Sequence, residues 1–151
     1  MGYVLREGET EAPAWLLAAL RQANRLQDIV LKHLDPGLTG NAAFARMRDE
    51  MSTANIDGRI YTHPIGDHGH GAGPLIGLWD YQEGVPGRGD AKVIPNMWFS
   101  SELQATTKVP EWGGQPVRIA QEEDFVLGAN GKPRWALQRQ SEFHLVRSGA
   151  M

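Results

Sequence analysis

The stretch YTHPIGDHGHGAGP, residues 61–74, contains three of the chain's five histidines and four glycines. Histidine is the commonest neutral metal ligand and a versatile proton carrier, and glycine lets a ligand approach the backbone closely. Taken alone, the stretch indicates a metal-binding or catalytic loop no more strongly than it indicates a glycine-rich surface turn. Its meaning therefore depends on the sequence on either side.

The residues before this stretch are predicted to form two helices. Across residues 13–34 apolar side chains recur every three or four positions, as on one face of an amphipathic helix. The sequence Asp35-Pro36-Gly37 is a stop signal. A second helix is predicted to start near Thr39 or Asn41 as its N-cap and to end before Asn55.

After residue 58 the sequence is typical of strands and turns. Short β-prone runs alternate with Gly/Pro segments at residues 59–62, 97–105, 117–127, 135–137 and 142–146. Residues 129–132 contain Asn130-Gly131, which favours a hairpin turn because this pair accepts a positive φ. We therefore predict an α+β fold, with two helices followed by a mainly antiparallel sheet.

Composition excludes several classes of protein. With 151 residues, 41% hydrophobic and 22% charged, the chain is the size of one ordinary globular domain. A net charge of −3 gives no electrostatic case for nucleic acid or a membrane surface as partner. The chain has no cysteine, so any metal must be held by His, Asp or Glu. A cytoplasmic location is the default expectation.

The histidine spacing carries a resemblance. His63-Pro64-Ile65-Gly66, followed by His70, resembles the His-Gly-Ile-Gly-x-x-x-His pattern of the methionine aminopeptidase/prolidase ("pita-bread") metallopeptidases. The resemblance implies that His63 is a metal ligand and that His70 is catalytic, contacting substrate and stabilising the tetrahedral intermediate. Pro64 replaces the usual Gly but leaves the histidine spacing intact. His68 has no counterpart in the pattern, and we expect it to be an exposed loop residue near the site.

A second segment, IPNMWFSSE at residues 94–102, resembles the Pro-Gly-Met-x-Phe-Thr-x-Glu strand of the same family. The final Glu of that strand is a metal ligand, so the resemblance implies this role for Glu102. Asn96 stands where Gly is usual, and Asn readily adopts the left-handed backbone conformation.

A third segment, VRIAQEEDFVL at residues 117–127, resembles the Val-Arg-Ile-Glu-(Glu/Asp)-Asp strand of prolidase-like members. The acidic trio comes two residues later here, and we assign the ligand to Glu122. Strand alternation keeps Arg118 and Glu122 on one face, with Arg118 close to the substrate. Glu123 is the second choice for this ligand and Glu142 a distant third.

The three matches imply the second half of a pita-bread fold. We expect one partial catalytic domain over residues 1–151, with the ligand strands within 58–147. The implied activity is metal-dependent aminopeptidase or Xaa-Pro peptidase hydrolysis of a peptide substrate. The ligand types suit Mn²⁺, Zn²⁺, Co²⁺ or Fe²⁺. Such ions lower the pKa of bound water and polarise the scissile carbonyl.

Both aspartate ligands of the family are missing from this pattern. Asp28 and Asp49 lie in the predicted helices, and Asp35 and Asp57 lie in turns, so none is on a suitable strand. We therefore expect the chain to begin between the two halves of the fold, near residues 1–5. At most one metal ion is then expected to bind, and the isolated chain should be inactive or weakly active.

Two interpretations follow. The chain is either an enzyme half, completed by another polypeptide or a longer parent chain, or a non-catalytic binding module like the histone-chaperone domains related to this family. The retained His and Glu residues favour the first. A half-fold should expose an apolar seam, for which the candidates are Trp79, Trp98, Phe99 and the apolar face of the first helix, and we expect it to self-associate.

Overall fold

The computed structural model describes residues 1–147, so the last four residues of the predicted domain 1–151 lie outside the described part. It contains two helices, α1 (Ala14–His33) and α2 (Gly40–Thr53). The strands are β1 (Gly2–Leu5), β2 (Asp57–Ile60), β3 (His63–Pro64), β4 (Trp98–Val109), β5 (Gln115–Leu127), β6 (Pro133–Trp135) and β7 (His144–Arg147). Short 3₁₀ turns lie at Asp67–Gly69, Arg88–Asp90 and Pro110–Trp112.

The two predicted helices are confirmed, and each follows from its sequence. In α1 the three- and four-residue spacing places Leu20, Leu26 and Val30 on one face, where all three are fully buried. Helix α2 begins at an N-cap, since the Thr39 Oγ1 accepts a hydrogen bond of 3.1 Å from the Ala42 N–H. Within residues 1–147, neither helix has the length and apolarity that crossing a membrane requires.

The long sheet is antiparallel, which confirms the predicted α+β class. Its strand order is β2-β4-β5-β6, and the short β3 pairs with β4 beyond the end of β2. Strands β4 and β5 form a hairpin paired from Trp98–Val126 to Val109–Gln115. Helix α1 packs across β4 and β5, and α2 packs against α1 and β2. The core between helices and sheet includes the stacked pair Phe99 and Phe125.

The last predicted strand is in a different place from the one expected. Residues 142–146 were predicted to extend the antiparallel sheet, but β7 instead pairs in parallel with β1 in a separate two-stranded sheet. Strand β1 was not predicted at all. Strand β7 is exposed throughout, and β1 contains only glycine and apolar residues, so neither shows the alternation of apolar and polar residues that marks a half-buried strand.

The expected apolar seam is only partly present. Phe99 is fully buried, and the apolar face of α1 is covered by the sheet, so both predictions of exposure were wrong. They fail because both helices pack on the sheet and close the core within the described residues. Trp79 and Trp98 do remain exposed, at 59% and 47%.

Candidate metal centre

Three neighbouring strands bring His63, Glu102 and Glu122 to one face of the sheet. Glu102 on β4 lies directly opposite Glu122 on β5, and His63 on β3 lies opposite Ser100 on β4. Directly paired residues point to the same face of a sheet, and so do residues two apart on one strand. Because Ser100 and Glu102 are two apart, the histidine and both glutamates share that face.

Each of these three side chains offers one ligand atom, and the three atoms lie within 4.8 Å of one another. The His63 Nε2 is 3.5 Å from the Glu102 Oε2. Among the described residues, no other group of three or more His, Cys, Asp or Glu side chains converges in this way. The geometry is that of a small cluster able to hold one cation.

The tautomer of a neutral His63 ring follows from one hydrogen bond. Its Nδ1 lies 3.0 Å from the carbonyl oxygen of Pro64, which can only accept, so Nδ1 carries the proton. In the neutral ring the Nε2 then presents a lone pair. His63 is 7% exposed, and its Nε2 has no hydrogen-bond partner. Because buried polar atoms are nearly always satisfied, this orphan lone pair fits a metal ligand.

The two glutamates repel each other. Burial raises the pKa of Glu102 above its ordinary value, and the charge of Glu122 raises it further, while His63 and His70 act in the opposite direction. Glu122 is exposed, and its Oε1 accepts a hydrogen bond of 3.0 Å from the Ser100 Oγ. A divalent cation between the two carboxylates would relieve this repulsion.

A cavity of about 420 Å³ opens beside this group of residues. Its lining comprises Tyr61, His63, His70, Leu75, Leu78, Trp79, Arg88 and Glu102. The His70 ring stacks on the His63 ring with centroids 4.4 Å apart, so the exposed His70 lies at the cavity beside the candidate ligands. Burial raises the pKa of Tyr61, as do the charges of Glu102 and Glu122.

The alternatives to Glu122 lie elsewhere. Glu123 points to the opposite face of β5, where it accepts hydrogen bonds from the Gln27 side chain and from the Gln140 N–H. Glu142 precedes β7 and is exposed, away from the cavity. Neither joins the cluster around His63.

The two residues expected near the site differ in their placement. Arg118 lies on β5, two alternations before Glu122 on the same face, and its charge lowers the pKa of Tyr61. His68 is exposed in the 3₁₀ turn with φ of +60°, and it does not line the cavity. Its backbone carbonyl lies 3.5 Å from the His70 Nδ1.

Sequence reasoning missed several residues of the site and its cavity. Tyr61 and Ser100 each lie two residues from a predicted ligand, so strand alternation alone would have placed them on the ligand face. Leu75, Leu78 and Arg88 come from the irregular connection between β3 and β4, where no periodicity points to a cavity.

No family model matches the chain, and no curated protein matches it. Several solved structures do match the chain. An X-Pro aminopeptidase from Thermotoga maritima superposes with a TM-score of 0.58 at 20% identity, covering 90% of this chain and 35% of that one. An Xaa-Pro dipeptidase from Bacillus anthracis gives 0.57 at 22% identity, covering 90% and 34%. The N-terminal domain of FACT complex subunit SPT16 from chickpea, Cicer arietinum, gives 0.56 at 14% identity, covering 82% and 29%.

These similarities show the fold. The chain has the architecture of part of a pita-bread domain and spans about a third of the length of the solved structures that it matches. Two of the three similar structures named above are Xaa-Pro peptidases, and the third is a domain of a FACT complex subunit.

Proposed function

We propose that this chain supplies the histidine and glutamate side of a divalent-metal centre that hydrolyses peptide bonds, as an aminopeptidase or Xaa-Pro peptidase. The buried and unpartnered Nε2 of His63, facing two carboxylates, is the observation that carries the proposal. Burying an unpartnered nitrogen beside two carboxylates is costly unless a cation satisfies all three groups, which supports a metal site here.

The chain's own residues have distinct roles in this proposal. His63, Glu102 and Glu122 would hold the ion, which when bound supplies a Lewis acid and an acidified water. The Nδ1–H···O=C bond to Pro64 orients the His63 ring, and the Ser100 hydroxyl orients Glu122. His70 lies beside His63 at the cavity, where its N–H can stabilise the negative oxygen of a tetrahedral intermediate.

The proposal includes one ion in this chain alone. The cluster has two carboxylates and one imidazole, and within residues 1–147 no aspartate joins it. A second divalent ion would lack the anionic ligands needed to replace its water. Full activity therefore requires further ligands from another polypeptide or a longer parent chain.

Metal binding is tested by calorimetric titration of the chelator-treated chain with Zn²⁺ or Mn²⁺. We expect at most one site, lost in His63→Ala. The matched control is His68→Ala, which removes a histidine of the same loop that lies outside the cluster. Two tight equivalents, or unchanged binding in His63→Ala, would contradict the ligand assignment.

Catalysis is tested with the parent chain or with the first half of a pita-bread enzyme added in trans. We expect aminopeptidase activity that chelators remove and that His70→Ala reduces by roughly two to three orders of magnitude, as for loss of an oxyanion donor. Activity that survives EDTA would exclude the proposed chemistry.

A second candidate is a non-catalytic binding module. The similarity to the SPT16 domain favours it, and so does the finding that no aspartate within residues 1–147 joins the cluster. Such a module would show no turnover with any added half, and it would keep a protein partner after chelation. A pull-down in EDTA therefore separates the two candidates.

We also propose that the chain associates with another polypeptide through the surface around Trp98, and that a second copy of the chain can be this partner. The Trp98 indole remains exposed at the start of β4, next to the residues of β4 that pair with β3. Sedimentation at micromolar concentration should show a species larger than a monomer, with Trp98→Ser shifting it toward the monomer. A stable monomer at all concentrations would contradict association.

A further inference from the structure

The cavity beside the metal cluster has an apolar part that the proposed chemistry does not use. Leu75, Leu78 and Trp79 contribute it, next to the polar contributions of His63 and Glu102. Its volume of about 420 Å³ is within the range of small-molecule sites and exceeds what a single ion requires.

Trp79 is held in place although it is 59% exposed. It lies at the tip of a tight turn closed by two reciprocal backbone bonds, from the Leu78 N–H to the Tyr81 carbonyl at 3.1 Å and from the Tyr81 N–H to the Leu78 carbonyl at 3.0 Å. The backbone of Trp79 is therefore fixed by hydrogen bonds of the residues that flank it, Leu78 and Tyr81.

Two side chains then tie this turn to β2. The Gln82 amide donates to the carbonyls of Leu78 (2.6 Å) and Ile60 (2.8 Å), and its oxygen accepts from the Ile60 N–H at 3.1 Å. Arg59 donates to the Trp79 carbonyl at 2.6 Å, and its guanidinium lies over the indole, 5.5 Å from the ring centroid. The same arginine thus holds both the backbone and the ring of Trp79.

An exposed aromatic ring that is ordered before binding loses little entropy when a ligand covers it. From this arrangement we propose that Trp79, with Leu75 and Leu78, forms a subsite for an apolar side chain of a peptide, and that Arg59 is the positioning residue of this subsite. The inference rests on the proposed function, since it places the peptide beside the metal cluster.

The chemistry of the subsite favours an apolar side chain over a charged one. A lysine or arginine of the peptide would have to share the indole with the Arg59 guanidinium, which repels it. A carboxylate would be attracted by Arg59 and by Arg88 in the lining. It would, however, lose water against Leu75 and Leu78, and Glu102 would repel it. A side chain the size of leucine or phenylalanine gains from burial on all three residues.

The test uses the full chain with Zn²⁺ and two series of tripeptide amides, Xaa-Ala-Ala and Ala-Xaa-Ala, with Phe, Leu, Ala or Glu as Xaa. Calorimetry gives the affinities, and NMR follows the Trp79 indole N–H, assigned by its disappearance in Trp79→Phe. In one of the two series, the peptides with Phe or Leu as Xaa should bind roughly tenfold more tightly than those with Ala or Glu. Binding of these peptides should also shift the Trp79 signal.

Four variants separate the roles. Trp79→Ala should abolish the preference for Phe, and Arg59→Ala should reduce it several-fold with Zn²⁺ affinity unchanged. Arg59→Lys should restore part of it, since an ammonium also binds an indole face. The control is Trp112→Ala, because Trp112 is similarly exposed but packs on Trp15, outside the cavity.

Equal affinity for Phe and Ala at both positions, no binding of any peptide, or a preference that survives Trp79→Ala would overturn the subsite. The Zn²⁺ titration in the same samples reports on the proposed function separately. Zinc binding without any preference refutes only the subsite. A Phe preference without zinc binding supports the subsite and refutes the metal centre.

Discussion

The metal-free protein should become more stable when one of its candidate metal ligands is removed. Glu102 and Glu122 are paired across the hairpin, with ligand atoms no more than 4.8 Å apart. Two charges at that distance repel by about 1 kcal/mol in a dielectric of 80 and by about 3.5 kcal/mol in one of 20. The Glu102 side chain is 34% exposed and Glu122 is exposed, so the lower value applies.

We therefore expect Glu102→Gln to raise the free energy of unfolding by about 1 kcal/mol at pH 7.5 in EDTA. The pKa of Glu102 is raised in the folded protein, so the native state binds more protons than the unfolded state in the range between the two pKa values. Wild-type stability therefore falls as pH rises through the folded pKa. The advantage of the variant should vanish in acid, where Glu102 is neutral.

Urea denaturation at several pH values measures this difference. Adding Zn²⁺ at a hundred times its dissociation constant should stabilise the wild type by about 2.7 kcal/mol and leave Glu102→Gln nearly unchanged, so the order of stability reverses. The control is Glu123→Gln, which weakens the bonds of Glu123 to Gln27 and Gln140 and should destabilise the protein with or without metal. If Glu102→Gln destabilises the metal-free protein at pH 7.5, the carboxylates do not face each other as described.

Three further predictions concern single side chains. Ser100→Ala removes the hydroxyl that orients Glu122 and should weaken Zn²⁺ binding roughly 10- to 100-fold in calorimetry, with the fold intact by circular dichroism. Asn96→Ala should destabilise the protein by about 1 kcal/mol, because φ is +65° there, whereas Asn96→Gly should not; equal effects in urea titrations would contradict this. Phe99→Ala should cost about 3–5 kcal/mol by the same measurement, since Phe99 is fully buried against Phe125, and a cost below 1 kcal/mol would refute this packing.

The elements with strong local patterns could be predicted from the sequence. The period of α1, the Thr39 cap and the left-handed Asn96 each depend on a few neighbouring residues, and each is present in the structure. The pairing of β1 with β7 could not be predicted, because it joins two short segments that are far apart in the sequence. Such pairing depends on long-range contacts that local propensity does not encode.

The candidate site likewise has one part that the sequence predicts and another that it does not. Alternation along β5 placed Glu122 on the face of Arg118, but only the contact of Glu123 with Gln27 shows which carboxylate turns toward the helix. The apolar side of the cavity was not predicted. Its key residue, Trp79, owes its position to Arg59 and Gln82, contacts that span an irregular connection without periodicity.

The pairing of the two carboxylates within one hairpin also has a kinetic consequence. Glu102 and Glu122 approach each other when β4 and β5 pair. His63 reaches them only when β3 pairs with the other edge of β4. Because hairpin pairing is a comparatively local event, the repulsion is present early in folding. Without metal, the carboxylates should therefore slow the folding limb of the chevron plot and leave unfolding little changed. A cation that binds the two carboxylates would therefore increase the folding rate, in addition to any catalytic role.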